Sequence, residues 1–130
     1  MRSGLLAALA LLLAGCGQSG PTDEDLVRRT VLDFGQATAA KDYRSLCRRI
    51  LSPALVEEVR SIGLPCEVAL EQGLGEVREP RLTVGRITID GDRASAQVQT
   101  SAANQDPSRD TLRLERVNGQ WRVASLGASG

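Results

Sequence analysis

Apolar positions in the first part of the chain recur at the spacing of an α-helix. After an unbroken apolar run at residues 5–14, Thr22 precedes three acidic residues, which is typical of a helix N-terminus. The pattern predicts a first helix over residues 23–41. Its apolar stripe is formed by Leu26, Val27, Thr30, Val31 and Phe34.

Three more helical segments are predicted before residue 76. Asp42 is a suitable N-cap for the second, Ser52 with its following proline begins the third, and Pro65 begins the fourth. Cys47 lies on the apolar face of the second segment and Cys66 on that of the fourth. Both thiols are therefore predicted to be buried.

From residue 81 onward the period of the apolar positions changes to two, which indicates β-strands. The phase slips at Gly85 and Arg86, which predicts a β-bulge. A turn at Gly91 and Asp92 places that bulge opposite Gln97, so that every apolar residue lies on one face. The predicted pairs on this face are Ile89 with Ala94, Ile87 with Ala96, Val84 with Val98, and Leu82 with Thr100.

The last part of the chain predicts a second hairpin. Residues 101–108 are polar and are expected to form a loop, whereas Asn118 and Gly119 are a strong signal for a two-residue turn. The predicted pairs are Leu114 with Val123, Glu115 with Arg122, and Arg116 with Trp121. Helices followed by an antiparallel meander give an α+β fold, with N-terminal helices packed on a curved, four-stranded antiparallel sheet.

The charges balance, and the chain contains no histidine. With 16 Lys plus Arg against 16 Asp plus Glu, the formal net charge is +0, which argues against nucleic acid as a partner. The absence of histidine excludes Ser-His and Cys-His catalytic pairs and His-ligated metal sites. Phe34, Tyr43 and Trp121 are the only aromatic residues, so stacking platforms for bases are not expected. No cofactor or metal site is predicted.

The N-terminus resembles that of a bacterial lipoprotein. Arg2, the apolar run and the sequence Leu-Ala-Gly-Cys at residues 13–16 match a signal peptide that ends in a lipobox. The run is shorter than the ~20 apolar residues that a membrane span needs. In lipoproteins this cysteine receives diacylglycerol, the signal is cut before it, and an N-acyl chain is added. The alternative is an ordinary secretory signal with a chance cysteine.

The resemblance divides the chain into three parts. It implies a signal peptide at residues 1–15, a lipidated Cys16 with a tether over residues 16–22, and one domain over residues 23–126. It also implies a lipid-anchored protein on the extracytoplasmic side of the cell membrane or envelope. Because this side is oxidising and Cys16 would be lipidated, Cys47 and Cys66 are expected to form a disulfide. A redox or catalytic thiol is the weaker alternative, since the spacing is not Cys-x-x-Cys and no histidine activates either sulfur.

The end of the chain resembles a second known family. Residues 112–123, with Asn118 and Gly119 followed two residues later by Trp121, are similar to the last hairpin of the nuclear transport factor 2-like superfamily. The Asp42-Tyr43 step after an Ala-rich first helix and the cysteine pair suit small exported lipoproteins of that superfamily. The resemblance implies a cone-shaped, cystatin-like or ketosteroid-isomerase-like domain. The superfamily contains isomerases, dehydratases, hydrolases and non-enzymatic modules, so the fold alone does not determine the function.

Three hypotheses about the function are open at this stage. The first is a non-enzymatic envelope domain that binds a protein partner or a small apolar ligand. The side chains expected to line its pocket, or else simply to fill the core, are Phe34, Val84, Val98, Leu112, Leu114 and Trp121. The alternative is an isomerase or dehydratase in which Asp33 is the base and Tyr43 the acid.

A third hypothesis concerns the membrane surface. Arg44, Arg48 and Arg49 lie on the polar side of the second predicted helix, in a domain that the proposed anchor would hold near the membrane. Arginines near an anionic membrane contribute about 1 kcal/mol each to attachment. A simple solvated helix face is the competing interpretation of these three residues.

Overall fold

The computed structural model describes residue 15 and residues 20–126 of the 130-residue chain. Apart from residue 15, the predicted signal peptide lies outside the described residues, as does the predicted lipidation site Cys16. The helical part consists of α1 (Asp23–Ala39), α2 (Tyr43–Ser45), a π-helix (Leu46–Ile50), α3 (Pro53–Arg60) and α4 (Cys66–Leu74). The strands are β1 (Arg81–Asp90), β2 (Arg93–Ala102), β3 (Gln105–Val117) and β4 (Gln120–Ser125).

The helices begin at the residues that the sequence predicts. Thr22 and Asp25 form a capping box, in which each side chain accepts a hydrogen bond from the other residue's backbone N–H at 3.1 Å. Asp42 and Ser52 cap the next two helical segments, in which their side chains accept from the backbone N–H of Ser45 and Leu55. Helix α1 ends at Ala39, two residues before the predicted end, because Lys41 adopts a positive φ of 55° that leaves the helix.

The second helical segment differs from the prediction. It starts as one α-turn and continues as a π-helix, which ends when the Leu51 N–H donates to the Leu46 carbonyl at 2.9 Å. Leu51 then pairs with Val123 of β4 in an isolated parallel bridge. The Arg122 guanidinium donates to the carbonyl oxygens of Arg48 and the next residue, which satisfies acceptors at the end of this segment. The wider turn is thus stabilised by contacts with the sheet that helical spacing alone does not reveal.

The sheet is an antiparallel meander in the order β1-β2-β3-β4, and its register confirms the prediction. Val84 faces Val98 and Ile87 faces Ala96, so the register shifts between Val84 and Ile87 and leaves two residues opposite Gln97. The helices pack on the apolar face of this curved sheet, and the α+β prediction is confirmed. The inner face carries the apolar residues, while the outer face carries exposed polar side chains.

The predicted loop at residues 101–108 is wrong. Strand β2 runs to Ala102, β3 begins at Gln105, and only two residues connect them. The strands persist because polar groups pair across them, including Thr100 and Ser108, whose hydroxyl oxygens are 3.0 Å apart. Pro107 is tolerated because β4 pairs with β3 only from Arg113 onward, so this part of β3 has a free edge among the described residues.

The core lies between the helices and the inner face of the sheet. Its most deeply buried side chains are Val27, Val31, Leu46, Leu51, Cys66, Ala96, Leu114 and Val123. Each fully buried Val or Leu side chain contributes about 1.5–3 kcal/mol to folding. Among the described residues, the buried apolar side chains lie within residues 27–123, so this segment contains the complete core of the described domain. In the described chain, none of the helices combines the length and apolar character needed to cross a membrane.

Two further links join the elements. Cys47 of the π-helix and Cys66 of α4 form a disulfide with a Cα–Cα distance of 6.1 Å, which confirms the predicted bridge. At the start of α1, the Asp23 carboxylate accepts hydrogen bonds from Trp121 Nε1 at 3.3 Å and Arg116 Nη2 at 3.1 Å. The beginning of α1 is therefore held at the end of the sheet formed by the β3–β4 hairpin.

Candidate functional site

A cavity of about 190 Å³ lies at the opposite end of the sheet, where the β2–β3 hairpin extends beyond β4. It is enclosed by the second half of α1, the end of α4, and the adjoining parts of the first three strands. The residues that line it are Phe34, Gly35, Thr38, Leu74, Val77, Pro80, Arg81, Leu82, Thr100, Ser101, Ala102, Gln105, Asp106 and Ser108.

One side of this cavity is apolar. Phe34 comes from the stripe of α1, Leu74 from the end of α4, and Leu82 from the inner face of β1; all three are half-buried. Helix α1 approaches β1 closely at Gly35, where a Cβ atom would lie 3.1 Å from the Leu82 Cβ. The missing side chain at Gly35 therefore determines how close the two walls come.

The other side of the cavity carries the hydroxyl groups of Thr100 and Ser108, and Ser108 is bonded in turn to Asp110, which does not line the cavity. Thr100 and Ser108 face each other across β2 and β3, with their hydroxyl oxygens 3.0 Å apart. Ser108 donates to Asp110 Oδ2, also at 3.0 Å. Because an ionised carboxylate only accepts, the Ser108 hydrogen is committed to Asp110, and Thr100 must donate to Ser108. The Thr100 oxygen consequently keeps its remaining capacity to accept a hydrogen bond.

The segment after α4 closes the cavity and is held by side chains that the sequence did not single out. The Asn104 amide accepts from the Arg78 backbone N–H and donates to the Glu76 carbonyl, both at 3.0 Å. Lys41 Nζ donates to the Gly75 carbonyl at 2.7 Å. The sequence predicts a loop over residues 101–108, so it gives no reason to expect Asn104 in a two-residue turn that holds this segment.

The predicted pocket residues occupy different positions in the structure. Phe34 lines the cavity at the end of the sheet. Val84 is half-buried and packs against the core. The other four face the helices at the middle of the sheet and at the end formed by the β3–β4 hairpin, so they lie in the core: Val98, Leu112, Leu114 and Trp121. These four fill the interior and do not line the cavity that Phe34 faces.

Asp33 and Tyr43, the alternative acid–base pair, do not share any of the cavities found among the described residues. Asp33 is exposed on α1 and borders two open depressions, both of which also contain Arg49. Tyr43 packs against the core, and its hydroxyl is buried without a hydrogen-bond partner in the described structure. Tyr43 lines neither of the two depressions that Asp33 borders.

The charged groups with perturbed pKa values belong to helix caps and not to the cavity. The Thr22 backbone N–H donates to Asp25 and lowers the pKa of that carboxyl. Hydrogen bonds from Ser45 lower the pKa of Asp42 in the same manner. Within residue 15 and residues 20–126, no group of three or more His, Cys, Asp or Glu side chains is arranged to hold a metal ion.

Comparison with known proteins identifies the fold. An NTF2-like protein of unknown function from Shewanella baltica OS155 superposes with a TM-score of 0.55 at 19% identity, covering 77% of this chain and 86% of the other. An NTF-2-like protein of unknown function from Silicibacter pomeroyi DSS-3 gives 0.54 at 16% identity, covering 77% and 88%. The de novo designed NTF2-fold protein NT-9 gives 0.54 at 14% identity, covering 82% and 87%.

The sequence matches no protein-family model and no curated protein. The identities to the solved structures are low, so the likeness shows the NTF2-like fold and not an activity. The fold expected from the final hairpin is thereby confirmed. Any function must be argued from the site itself.

Proposed function

We propose that this protein is a lipid-anchored domain on the extracytoplasmic side of the cell envelope that binds a small, largely apolar ligand without converting it. The proposal rests on the cavity between α1 and the end of the sheet where the β2–β3 hairpin extends beyond β4. Phe34, Leu74 and Leu82 lie on one side of this cavity and Thr100 lies on the other. Such a combination of apolar walls and a few oriented polar groups is typical of small-molecule sites.

The size of the cavity limits the ligand. Its volume of about 190 Å³ is somewhat larger than the ~150 Å³ apolar cavity that suffices for benzene in a protein interior. A single substituted ring or a short branched chain therefore fits inside, whereas a steroid or a full acyl chain would extend beyond the cavity. The apolar body of the ligand would contact Phe34 and Leu82.

The polar side of the cavity favours a ligand with one hydrogen-bond donor. Since Thr100 donates its hydrogen to Ser108, its oxygen offers only an acceptor to a bound molecule. An alcohol or amine can donate to that oxygen, but a hydrocarbon of the same shape cannot. The difference is about 0.5–1.5 kcal/mol, which corresponds to roughly 2- to 10-fold in affinity.

Two observations support binding without catalysis. The chain has no histidine to serve as a general base near neutral pH. Asp33 is exposed at two open depressions that Tyr43 does not line, and Tyr43 packs against the core. The Thr100–Ser108–Asp110 chain is consistent with a fixed acceptor that selects a ligand.

The proposed anchor rests on the sequence at residues 13–16 and is supported by the disulfide between Cys47 and Cys66. Disulfides persist in oxidising compartments such as the envelope and are rare in the cytosol. Replacing Cys16 with Ser should release the protein from membranes washed with high salt, which also removes electrostatic attachment. If the Cys16→Ser protein is still recovered with the salt-washed membrane fraction, the anchor is wrong.

The ligand-binding part is tested by two probes that differ in one group, benzyl alcohol and toluene. We expect both to perturb the NMR signals of Phe34 and Leu82, with benzyl alcohol binding more tightly. Thr100→Val should remove this preference and leave toluene binding unchanged. Thr83→Val, on the outer face, is the matched control and should change neither.

Two results would refute the cavity as the site. One is the absence of chemical-shift changes at Phe34 and Leu82 with either probe. The other is a Thr100→Val protein that prefers benzyl alcohol over toluene as strongly as the unmodified protein does. The anchor and the cavity are tested separately, so one part of the proposal can fail without the other.

A further inference from the structure

The outer face of the sheet, which points away from the helices, is strongly basic. The alternation along each strand and the residues of the bulge place the basic side chains on this face: Arg81, Arg86, Arg93, Arg109, Arg113 and Arg122. Asp90 and Glu115 are the acidic side chains on the same face. The formal charge of the face is therefore positive by four, although the whole chain is neutral.

These arginines are not neutralised by ion pairs within the described residues. The ion pairs there are formed by Arg28 with Glu24 and by Arg116 with Asp23 and Asp92, none of which includes an arginine of the outer face. Five of the six outer arginines are exposed, and the sixth, Arg122, is half-buried and bound to backbone carbonyls. The positive potential of the face is thus available to a partner.

Part of the helical side, formed by α3 and α4, has the opposite charge, whereas residues 23–52 carry six basic and five acidic residues. Residues 53–79, which contain α3 and α4, carry six glutamates and two arginines. The glutamates are Glu57, Glu58, Glu67, Glu71, Glu76 and Glu79. Because of this separation of charge, an anionic surface attracts the outer face of the sheet and repels α3 and α4.

We propose that the outer face of the sheet docks on the anionic phospholipid headgroups of the membrane that holds the protein. The orientation of the domain relative to the membrane in this proposal rests on the proposed anchor at Cys16. The residues between that anchor and α1, 17–22, span at most about 20 Å when extended. Because Asp23 is bound to Trp121 and Arg116, this short tether reaches the domain at an end of the sheet.

A second copy of the chain offers the other complementary surface, its acidic helical side. Contact between a basic sheet and an acidic helical side is head-to-tail, and such contacts lead to rings or open filaments instead of a symmetric pair. Copies anchored by equally short tethers also present the same side to the membrane. The lipid surface is therefore the occupant that the charges and the tether favour together.

The experiment measures binding of residues 17–130, which contain the complete core but neither signal peptide nor lipid, to vesicles. Vesicles of phosphatidylglycerol and phosphatidylcholine are compared with vesicles of phosphatidylcholine alone in a flotation assay at low ionic strength. We expect binding only to the anionic vesicles, and loss of binding as salt is added.

Two triple variants with the same net charge separate position from total charge. The first replaces Arg86, Arg109 and Arg113 of the outer face with Gln, and the second replaces three exposed arginines of the helical side with Gln. Those three are Arg29, Arg44 and Arg60. Since each arginine near an anionic surface contributes about fivefold to partitioning, the first variant should bind roughly 100-fold more weakly. The second should bind like the unmodified chain.

Equal losses in both variants would overturn the proposal, since they would indicate total charge and not this face. Binding to phosphatidylcholine alone, or no binding to anionic vesicles, would also overturn it. Self-association in sedimentation that the outer-face variant abolishes would point to a second copy as the occupant instead. None of these outcomes depends on lipidation, so a failure of the anchor at Cys16 is distinguished from a failure of the docking face.

Discussion

The disulfide between Cys47 and Cys66 is expected to supply a large part of the domain's stability. It joins the π-helix to the first residue of α4 across a sequence separation of 19. Closing a loop of this length in the unfolded chain is worth about 3 kcal/mol in the chain-entropy estimate. Domains of this size have a free energy of unfolding of about 5–15 kcal/mol, so the bridge accounts for a substantial share.

The expected result is a fall in melting temperature when the bridge is removed. One kcal/mol shifts the melting temperature of a domain of about 100 residues by roughly 4 °C or more, so 3 kcal/mol corresponds to roughly 12 °C. Circular dichroism melts of the oxidised and reduced protein measure the shift. Mass spectrometry after alkylation verifies that both thiols are free in the reduced sample.

A double variant separates the bridge from other effects of the reductant. The protein with Cys47→Ala and Cys66→Ala should melt near the reduced protein, and adding reductant should not change it further. A fall of only a few degrees with both thiols free would refute the loop-entropy reasoning. Because α4 ends in Leu74 at the cavity, reduction should also weaken benzyl alcohol binding.

Two further predictions concern the segment after α4 and the helix caps. Asn104→Ala removes two hydrogen bonds to the segment after α4, so it should lower the free energy of unfolding by about 1 kcal/mol. It should also weaken benzyl alcohol binding. Gln99→Ala, on the outer face, is the control for both measurements. The pKa values of Asp25 and Asp42 are lowered in the folded state, so their stabilisation is present above the ordinary value of 3.8 and is lost as the pH falls through their folded values. Urea midpoints recorded against pH should therefore fall less steeply on acidification for the Asp25→Asn, Asp42→Asn protein, and an unchanged slope would contradict this.

The features that could be predicted are those set by neighbours in sequence. The caps at Thr22 and Asp42 depend on side chains within three residues of the backbone groups that they bind. The register of β1 and β2 followed from a two-residue turn and a slip in phase at Gly85, because side chains in a strand alternate strictly between the faces. The disulfide was predictable for a different reason, since only two cysteines remained once Cys16 was assigned to the lipid.

The features that could not be predicted depend on residues far apart in sequence. Residues 101–108 have no apolar alternation, yet most of them lie in strands because Thr100 is hydrogen-bonded to Ser108 across β2 and β3. Pro107 is tolerated in β3 because β4 does not pair with this part of the strand. The π-helix depends likewise on Arg122 and on the bridge from Leu51 to Val123.

The cavity and the charged face are both consequences of the tertiary structure. Local chemistry was enough to determine where each helix begins, where the sheet turns, and which face of each strand is apolar. Only the packing of α1 and α4 against the β2–β3 hairpin, which extends beyond β4, decided that Phe34 borders a cavity. The same packing places Trp121 in the core. The meander likewise gathered arginines from four strands onto one surface, since distant residues acquire a common potential only when pairing brings them side by side.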